Sequence, residues 1–125
     1  MTLKHLSLQN FRSYTKAEYS FSPEVTFIVG ENTAGKSNLI EALGFLSNGK
    51  SFRADKELQV IKFGEEVARI TGKIEGDDAV TLETVFAFLP SPGREAYFQK
   101  RFLVNTLPKR RIDFAGILPS VLFTP

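Results

Sequence analysis

The chain lacks cysteine and has a single histidine, His5, which excludes two common kinds of protein chemistry. Without cysteine there is neither a disulfide framework nor a thiolate metal site, in keeping with a reducing compartment. With one histidine, a zinc site or a histidine general base is not expected, and we interpret His5 as a surface strand residue. No apolar run approaches the ~18 residues of a membrane helix and no signal peptide opens the chain, so we expect a cytoplasmic protein with no membrane partner.

The composition is that of an ordinary folded protein. The chain has 125 residues, of which 42% are hydrophobic and 12 are phenylalanine, enough for one compact domain or one lobe of a larger domain. The net charge of +2 and the isoelectric point near 9.0 are a mild excess. This excess is compatible with a polyanionic partner but does not demonstrate one.

The segment from Gly30 to Ser37 matches the phosphate-binding pattern G-x-x-x-x-G-K-[ST]. Gly30 and Gly35 allow backbone N–H groups to approach a phosphate without obstruction by a side chain. Lys36 is placed at the start of a helix, where its ammonium can reach the β- and γ-phosphates and the positive helix end adds attraction. The Ser37 hydroxyl is placed to ligate magnesium.

The alternative is a glycine turn that precedes a lysine by chance, and the neighbouring sequence argues against it. Residues 25–29 are almost continuously apolar, as in a central strand. After the loop, apolar residues recur with helical spacing on one face, and Asn48-Gly49 is a stop signal; these residues are Leu39, Ile40, Leu43 and Leu46. Strand, loop and helix in this order favour nucleotide binding.

The rest of the chain is predicted to be mostly strands. Alternation predicts strands over 3–11 and 17–21 and a β-hairpin over 68–74 and 80–88. A loop at 90–93, one or two strands over 95–104 and a turn at 105–106 follow. Further predictions are a short helix capped by Asp55 and carrying Leu58 and Ile61, a second short helix holding Lys109, Arg110 and Arg111, and a last strand over 121–123.

These elements predict an α/β fold with α+β character, in which an antiparallel sheet packs against the helix that follows the loop. Regular βαβ winding, with parallel strands alternating with long helices, is not indicated. The chain ends on an apolar strand, whereas chain termini are usually polar and exposed. We therefore expect residues 1–125 to be a single lobe of a longer protein.

Several motifs resemble the RecF family of DNA replication and repair ATPases, within the ABC-type ATPases that include the SMC proteins. Residues 6–14 resemble the opening L-x-L-x-N-F-R-x-Y of that family, and residues 49–53 resemble its G-[RK]-S-[FH]-R. The closing residues 121–125 also match in order. The resemblance implies a P-loop NTPase fold: the N-terminal lobe of an ABC/SMC-type ATPase head with an antiparallel β subdomain.

By this resemblance the chain would bind ATP and Mg²⁺, with Lys36 catalytic and Ser37 the metal ligand. Arg12 would lie near the nucleotide phosphates and Asn32 near the γ-phosphate, whereas Glu41 is interpreted as a solvated helix residue. Thr33 stands where the family has glycine, and a β-branched residue tolerates positive φ poorly, so we expect a slightly altered loop or weaker binding. The full set of nucleotide-binding candidates is Arg12, Gly30, Glu31, Asn32, Thr33, Ala34, Gly35, Lys36, Ser37 and Asn38.

The resemblance also implies partners. ATP would drive homodimerisation of complete heads, and the dimer would bind single-stranded or gapped double-stranded DNA, with recombination mediator proteins as further partners. Two basic clusters could contact the phosphate backbone, although ordinary solvated charge is an equal explanation. The first cluster is Lys50, Arg53 and Lys56, and the second is Lys100, Arg101, Lys109, Arg110 and Arg111.

The sequence contains neither a Walker B motif nor the glycine-rich signature of ABC-type ATPases. No run of four apolar residues precedes Asp-Glu, and no Gly-Gly pair occurs. Hydrolysis needs a carboxylate that supports magnesium and a group that orients water. We therefore expect an ATPase only in a complete protein, with this chain inactive alone. Two alternatives remain: an SMC-like P-loop ATPase of a defence or nuclease system, and a non-catalytic nucleotide-binding interaction module.

Overall fold

The computed structural model describes residues 2–12, 14–20, 33–49, 60–75, 78–91 and 93–117. Within these residues the chain forms two helices and one sheet of six strands. The elements are β1 (Thr2–Phe11), β2 (Tyr14–Ser20), α1 (Thr33–Asn48), β3 (Val67–Glu75), β4 (Val80–Ser91), β5 (Arg94–Val104), β6 (Leu107–Lys109) and α2 (Arg111–Phe114). No helix in the described part of the chain is long and apolar enough to cross a membrane.

The sheet has the strand order β2-β1-β3-β4-β5-β6, and every neighbouring pair is antiparallel. This confirms the predicted antiparallel sheet, including the first two strands and the hairpin of β3 and β4. Period-two alternation is clear in β3, where buried and exposed residues alternate along the strand. One face of the sheet therefore carries the core.

The turn predicted at Asn105 and Thr106 joins β5 to β6 as a two-residue hairpin loop. Both residues have positive φ, 50° and 68°, the backbone of a type I′ turn that matches the twist of the flanking strands. The Asn105 side chain accepts a 2.8 Å hydrogen bond from the backbone N–H of Thr81, which ties the turn to β4. The segment 94–104 is one strand rather than two.

Helix α1 packs on the core face of the sheet. Phe45 meets Phe86 of β4 edge to face, with ring centroids 4.8 Å apart. Gly72 of β3 lies directly beneath Leu46, and a Cβ built at Gly72 would stand 2.7 Å from the Leu46 Cδ1. The absence of a side chain at this strand position therefore lets the helix approach the sheet closely.

The buried face of α1 differs from the predicted one. Leu39 and Leu46 are buried as expected, but Ile40 and Leu43 are only half-buried. Ala42 and Phe45 complete the buried face together with Leu39 and Leu46. Hydrophobic spacing alone did not distinguish these faces because α1 has apolar residues on more than one side.

Three other predictions need correction. Ile61 is not on a helix; it forms an antiparallel bridge with Phe11 at the end of β1. The predicted loop at 90–93 starts later, because β4 continues to Ser91. Lys109 belongs to strand β6 and not to a helix, which begins only at Arg111. The predicted strands at 25–29 and 121–123 and the helix start at Asp55 lie outside the described residues.

A candidate phosphate-binding site at the start of helix α1

Helix α1 begins at Thr33, inside the G-x-x-x-x-G-K-[ST] motif. Its first turn is therefore made by motif residues, and the first N–H groups of a helix have no partner within the helix. Such a helix start attracts phosphate through these donors and through the helix dipole. Thr33 is part of this helix, whose backbone accepts a β-branched residue at small cost and requires no positive φ.

The structure locates only some of the predicted site residues. Gly30, Glu31 and Asn32 lie outside the described residues, as do the side chains of residues 33–37, including the Lys36 ammonium and the Ser37 hydroxyl. Asn38 is half-buried in the second turn of α1. Their assignment to ATP and magnesium therefore stays a prediction from the motif.

Arg12 follows directly after β1, where the strand leaves the sheet. It has a φ of 53°, and Asn10 two residues earlier has a φ of 51°, so two non-glycine residues in left-handed backbone flank the buried Phe11. Asparagine tolerates this conformation, whereas for arginine it costs about 1–2 kcal/mol. A backbone kept in such a conformation must be held by its surroundings.

The surroundings of Arg12 supply this restraint through the segment at 60–62. The Arg12 N–H donates to the Val60 carbonyl at 2.7 Å, and the Lys62 N–H donates to the Asn10 carbonyl at 2.7 Å. The Asn10 side-chain amide donates to the Val67 carbonyl at 3.1 Å. The Asn-Phe-Arg motif thus forms a fixed corner between β1 and the chain that leads into β3.

The Arg12 side chain reaches from this corner to α1 and forms a two-point ion pair with Glu41. Nε of Arg12 donates to Oε1 of Glu41 at 2.8 Å, and Nη2 donates to Oε2 at 2.7 Å. The Glu41 side chain is fully buried and that of Arg12 is 20% exposed. Two parallel charge-assisted bonds fix the guanidinium in position as well as in orientation.

The interpretation of Glu41 as a solvated helix residue was therefore wrong. Its partner lies 29 residues away in the sequence, so no spacing pattern within α1 reveals the pair. Two weak signals were available: an acid on a helix with apolar residues on several sides, and an arginine in a recognisable motif. Buried carboxylates are almost always paired, and Arg12 is a partner of Glu41.

The opposite end of α1 is held by β5 and α2. The Lys100 Nζ donates to the Gly49 carbonyl at 2.6 Å and lies 5.7 Å and 5.6 Å from the ring centroids of Phe45 and Phe102. The Gly116 N–H donates to the Ser47 carbonyl at 2.9 Å. A cation at a helix C-terminus interacts favourably with the dipole, so Lys100 anchors the helix here.

The second basic cluster is therefore smaller than the sequence indicated. Lys100 is half-buried against α1, whereas the other four members are exposed at the β6 end of the sheet: Arg101, Lys109, Arg110 and Arg111. The first cluster, at 50–56, lies outside the described residues.

Comparison with known proteins identifies a matching family model and similar sequences. A family model described as an AAA ATPase domain matches residues 1–106. The DNA replication and repair protein RecF of Leptospira interrogans is 37% identical over 126 residues, covering 100% of this chain and 33% of the relative. RecF of Paenarthrobacter aurescens is 36% identical, covering 100% of this chain and 30% of the relative. The chain thus spans about a third of the length of these relatives.

Two solved RecF structures are similar to this chain in fold. The structure of the recombination mediator protein RecF with ATP in the RecFOR pathway has a TM-score of 0.81 and 32% identity, covering 99% of this chain and 33% of that one. A second RecF structure, whose name gives the ligand as ATPrS, has a TM-score of 0.82 and 31% identity, covering 99% and 32%. Because the family model matches 106 residues and the relatives align over the whole of this chain, the chain belongs to the AAA ATPase domain family and resembles the N-terminal part of the RecF ATPase head.

Proposed function

We propose that this chain is the ATP-binding lobe of a RecF-like replication and repair ATPase and binds ATP with Mg²⁺ at the start of α1. The observation that carries this proposal is the position of the helix: α1 starts within the phosphate-binding motif and packs on an antiparallel sheet. The names of the two similar structures, which both include an ATP-type ligand, support it.

The residues of the motif fit the chemistry of a magnesium nucleotide. Backbone N–H groups from Gly30 to Ser37 would cradle the phosphates, and the Lys36 ammonium would neutralise charge on the β- and γ-phosphates. The Ser37 hydroxyl is an oxygen ligand of the kind that magnesium prefers. When bound, magnesium supplies charge neutralisation at the phosphate oxygens. Arg12, held beside α1, adds a second cation on the β1 side of the helix.

The complete protein would use this lobe to couple ATP to DNA binding. Two heads would enclose ATP between them, each completing the P-loop of the other, and the dimer would contact single-stranded or gapped DNA. Mg²⁺-dependent hydrolysis would release the dimer. Recombination mediator proteins are further candidate partners. This scheme rests on the resemblance to RecF, because the present sequence contains neither a Walker B carboxylate nor the ABC signature.

The test is a calorimetric titration of this chain with ATP and Mg²⁺, beside Lys36→Ala and the control Lys16→Ala. Lys16 is an exposed lysine on β2, so its loss removes the same charge away from the motif. Loss of a charged contact to phosphate predicts an affinity about tenfold or more lower for Lys36→Ala and unchanged for Lys16→Ala. If the wild-type chain is folded and shows no ATP binding, the proposed function is wrong.

Phosphate release measured on the same samples separates this proposal from its main alternative. ATP binding without turnover, followed by turnover when the remainder of a RecF-like head is supplied, identifies an ATPase lobe. Binding without turnover in both cases identifies a non-catalytic nucleotide-binding module.

A further inference from the structure

Glu41 is buried so completely that its role requires an explanation beyond helix formation. A carboxylate with no exposed surface is costly unless it is paired, and both of its oxygens accept bonds from Arg12. Buried ion pairs of this kind often add little net stability compared with apolar residues of similar size. Stability alone is therefore a poor account of the pair.

The position of Glu41 on α1 indicates what the pair controls. Glu41 lies four residues after Ser37, about 6 Å further along the helix axis, so the pair lies close to the motif in which the helix starts. The two carboxylate oxygens of Glu41 accept hydrogen bonds from Nε and Nη2 of the Arg12 guanidinium. Because the guanidinium is rigid and planar, these two bonds also fix the direction of the third nitrogen, Nη1.

The backbone of Arg12 restricts the side chain in the same way. Its left-handed φ of 53° and its bond to Val60 aim the residue from the sheet towards α1. Strained backbone that is held by its neighbours occurs preferentially at ligand clamps. Arg12 is thus fixed at both ends, by the corner at the end of β1 and by Glu41.

We propose that Glu41 is a positioning residue, which holds the Arg12 guanidinium against α1 in the orientation that meets the nucleotide phosphates. This inference rests on the proposed function and deepens it. Glu41 acts through Arg12 and does not itself contact the nucleotide, since a carboxylate would repel phosphate. In its absence the Arg12 side chain samples several rotamers, and binding then has to order it.

The experiment compares ATP·Mg²⁺ affinities of folded wild type, Arg12→Ala, Glu41→Gln and the double variant. We expect Arg12→Ala and Glu41→Gln each to weaken binding about tenfold, as expected for a charged hydrogen bond that is lost or misplaced. The double variant should be no weaker than Arg12→Ala, because Glu41 acts only through Arg12. Equal affinities of wild type and Glu41→Gln, or additive losses in the double variant, overturn the proposal.

A matched control is available on the opposite face of the sheet. Glu83 of β4 is also nearly buried and pairs with Arg69 of β3, with Nη1 and Oε2 3.3 Å apart. Glu83→Gln should lower the melting temperature and leave the ATP affinity unchanged. If Glu83→Gln weakens ATP binding as much as Glu41→Gln, the effect is general destabilisation and the proposal is wrong.

A spectroscopic measurement covers the case in which Glu41→Gln folds poorly. The Arg12 Nε–H resonance, assigned by its loss in Arg12→Lys, should be sharp in the wild type and should move when ATP·Mg²⁺ is added. If this resonance does not move, in a protein whose ATP binding is weakened by Lys36→Ala, the role of Arg12 and Glu41 is disproved and the nucleotide site stands. Absence of binding in the wild type disproves both proposals.

Discussion

The ammonium of Lys100 on β5 donates a 2.6 Å hydrogen bond to the carbonyl of Gly49, the residue that follows α1. This bond closes the end of the helix that lies opposite the phosphate-binding motif. One end of α1 would therefore meet the negative charge of a ligand, while the other meets a fixed positive charge from the sheet. Both arrangements suit the helix dipole.

Lys100→Met should destabilise the fold by about 1–2 kcal/mol, because it removes a charged hydrogen bond but keeps most of the aliphatic packing. Lys73→Met is the control, since Lys73 is an exposed lysine on strand β3 of the same sheet. Urea unfolding followed by circular dichroism measures both. Equal stabilities of the two variants would show that the bond to Gly49 contributes nothing.

Gly49→Ala should cost more stability than Gly64→Ala. Both glycines have positive φ, 75° and 89°, so each alanine pays about 1–2 kcal/mol of backbone strain. A Cβ at Gly49 would also stand 3.0 Å from the Arg111 Cγ and 3.1 Å from the Phe102 ring, whereas a Cβ at Gly64 meets nothing within 4 Å. We expect a difference of about 1 kcal/mol or more from crowding. If thermal melts show the same loss of stability for both variants, the Arg111 and Phe102 side chains move aside at no energetic cost and the crowding argument is wrong.

Gly72→Ala should destabilise the contact between α1 and β3 by about 1–3 kcal/mol, as expected for an overpacked core. The new methyl group would overlap the Leu46 Cδ1. Chemical denaturation of Gly72→Ala, Leu46→Ala and the double variant tests this cause. The double variant should be more stable than the sum of the two single effects predicts. If the two changes in unfolding free energy simply add in the double variant, the strain does not arise from the contact between residue 72 and Leu46.

Arg101 and Arg110 are proposed to contact a nucleic-acid backbone. The last pair of β5 and β6 is Phe102 with Lys109, and Arg110 follows with extended backbone, φ −72° and ψ 153°. Arg101 and Arg110 are therefore each one residue beyond this pair, on adjacent segments of chain. Like charges on neighbouring strands are unfavourable unless an anion is bound between them. Arg110 also contacts Asp113 at 3.0 Å, but this pair is largely exposed and weak.

Replacing both Arg101 and Arg110 with glutamine should weaken duplex DNA binding and reduce the slope of log affinity against log salt by about 2, one phosphate contact for each cation. Fluorescence anisotropy in the presence of ATP and Mg²⁺ measures this slope. The control, Lys16→Gln with Lys73→Gln, removes the same charge at a distance from β6. The same loss in both double variants would show that only net charge matters.

Local sequence patterns were enough to predict the antiparallel sheet, the hairpin of β3 and β4, the turn at Asn105 and the presence of α1 beside its phosphate-binding motif. Each of these depends on residues that are close in sequence: alternation gives strands, and residues that tolerate positive φ give tight turns. The motif itself is local as well, because a helix start and the loop before it form one anion site.

Tertiary structure decided which charged residues are available and which are used inside the fold. Glu41 can be buried because Arg12, 29 residues away in the sequence, pairs with it. Lys100 is not available for DNA because it binds the carbonyl of Gly49 at the end of α1, 51 residues away in the sequence. Ile61 became a strand partner of Phe11 for the same reason. The sequence alone was enough to predict most of the elements and the phosphate-binding motif. The ion pairs around them depend on packing, because a charge is buried only where the folded chain supplies a partner for it.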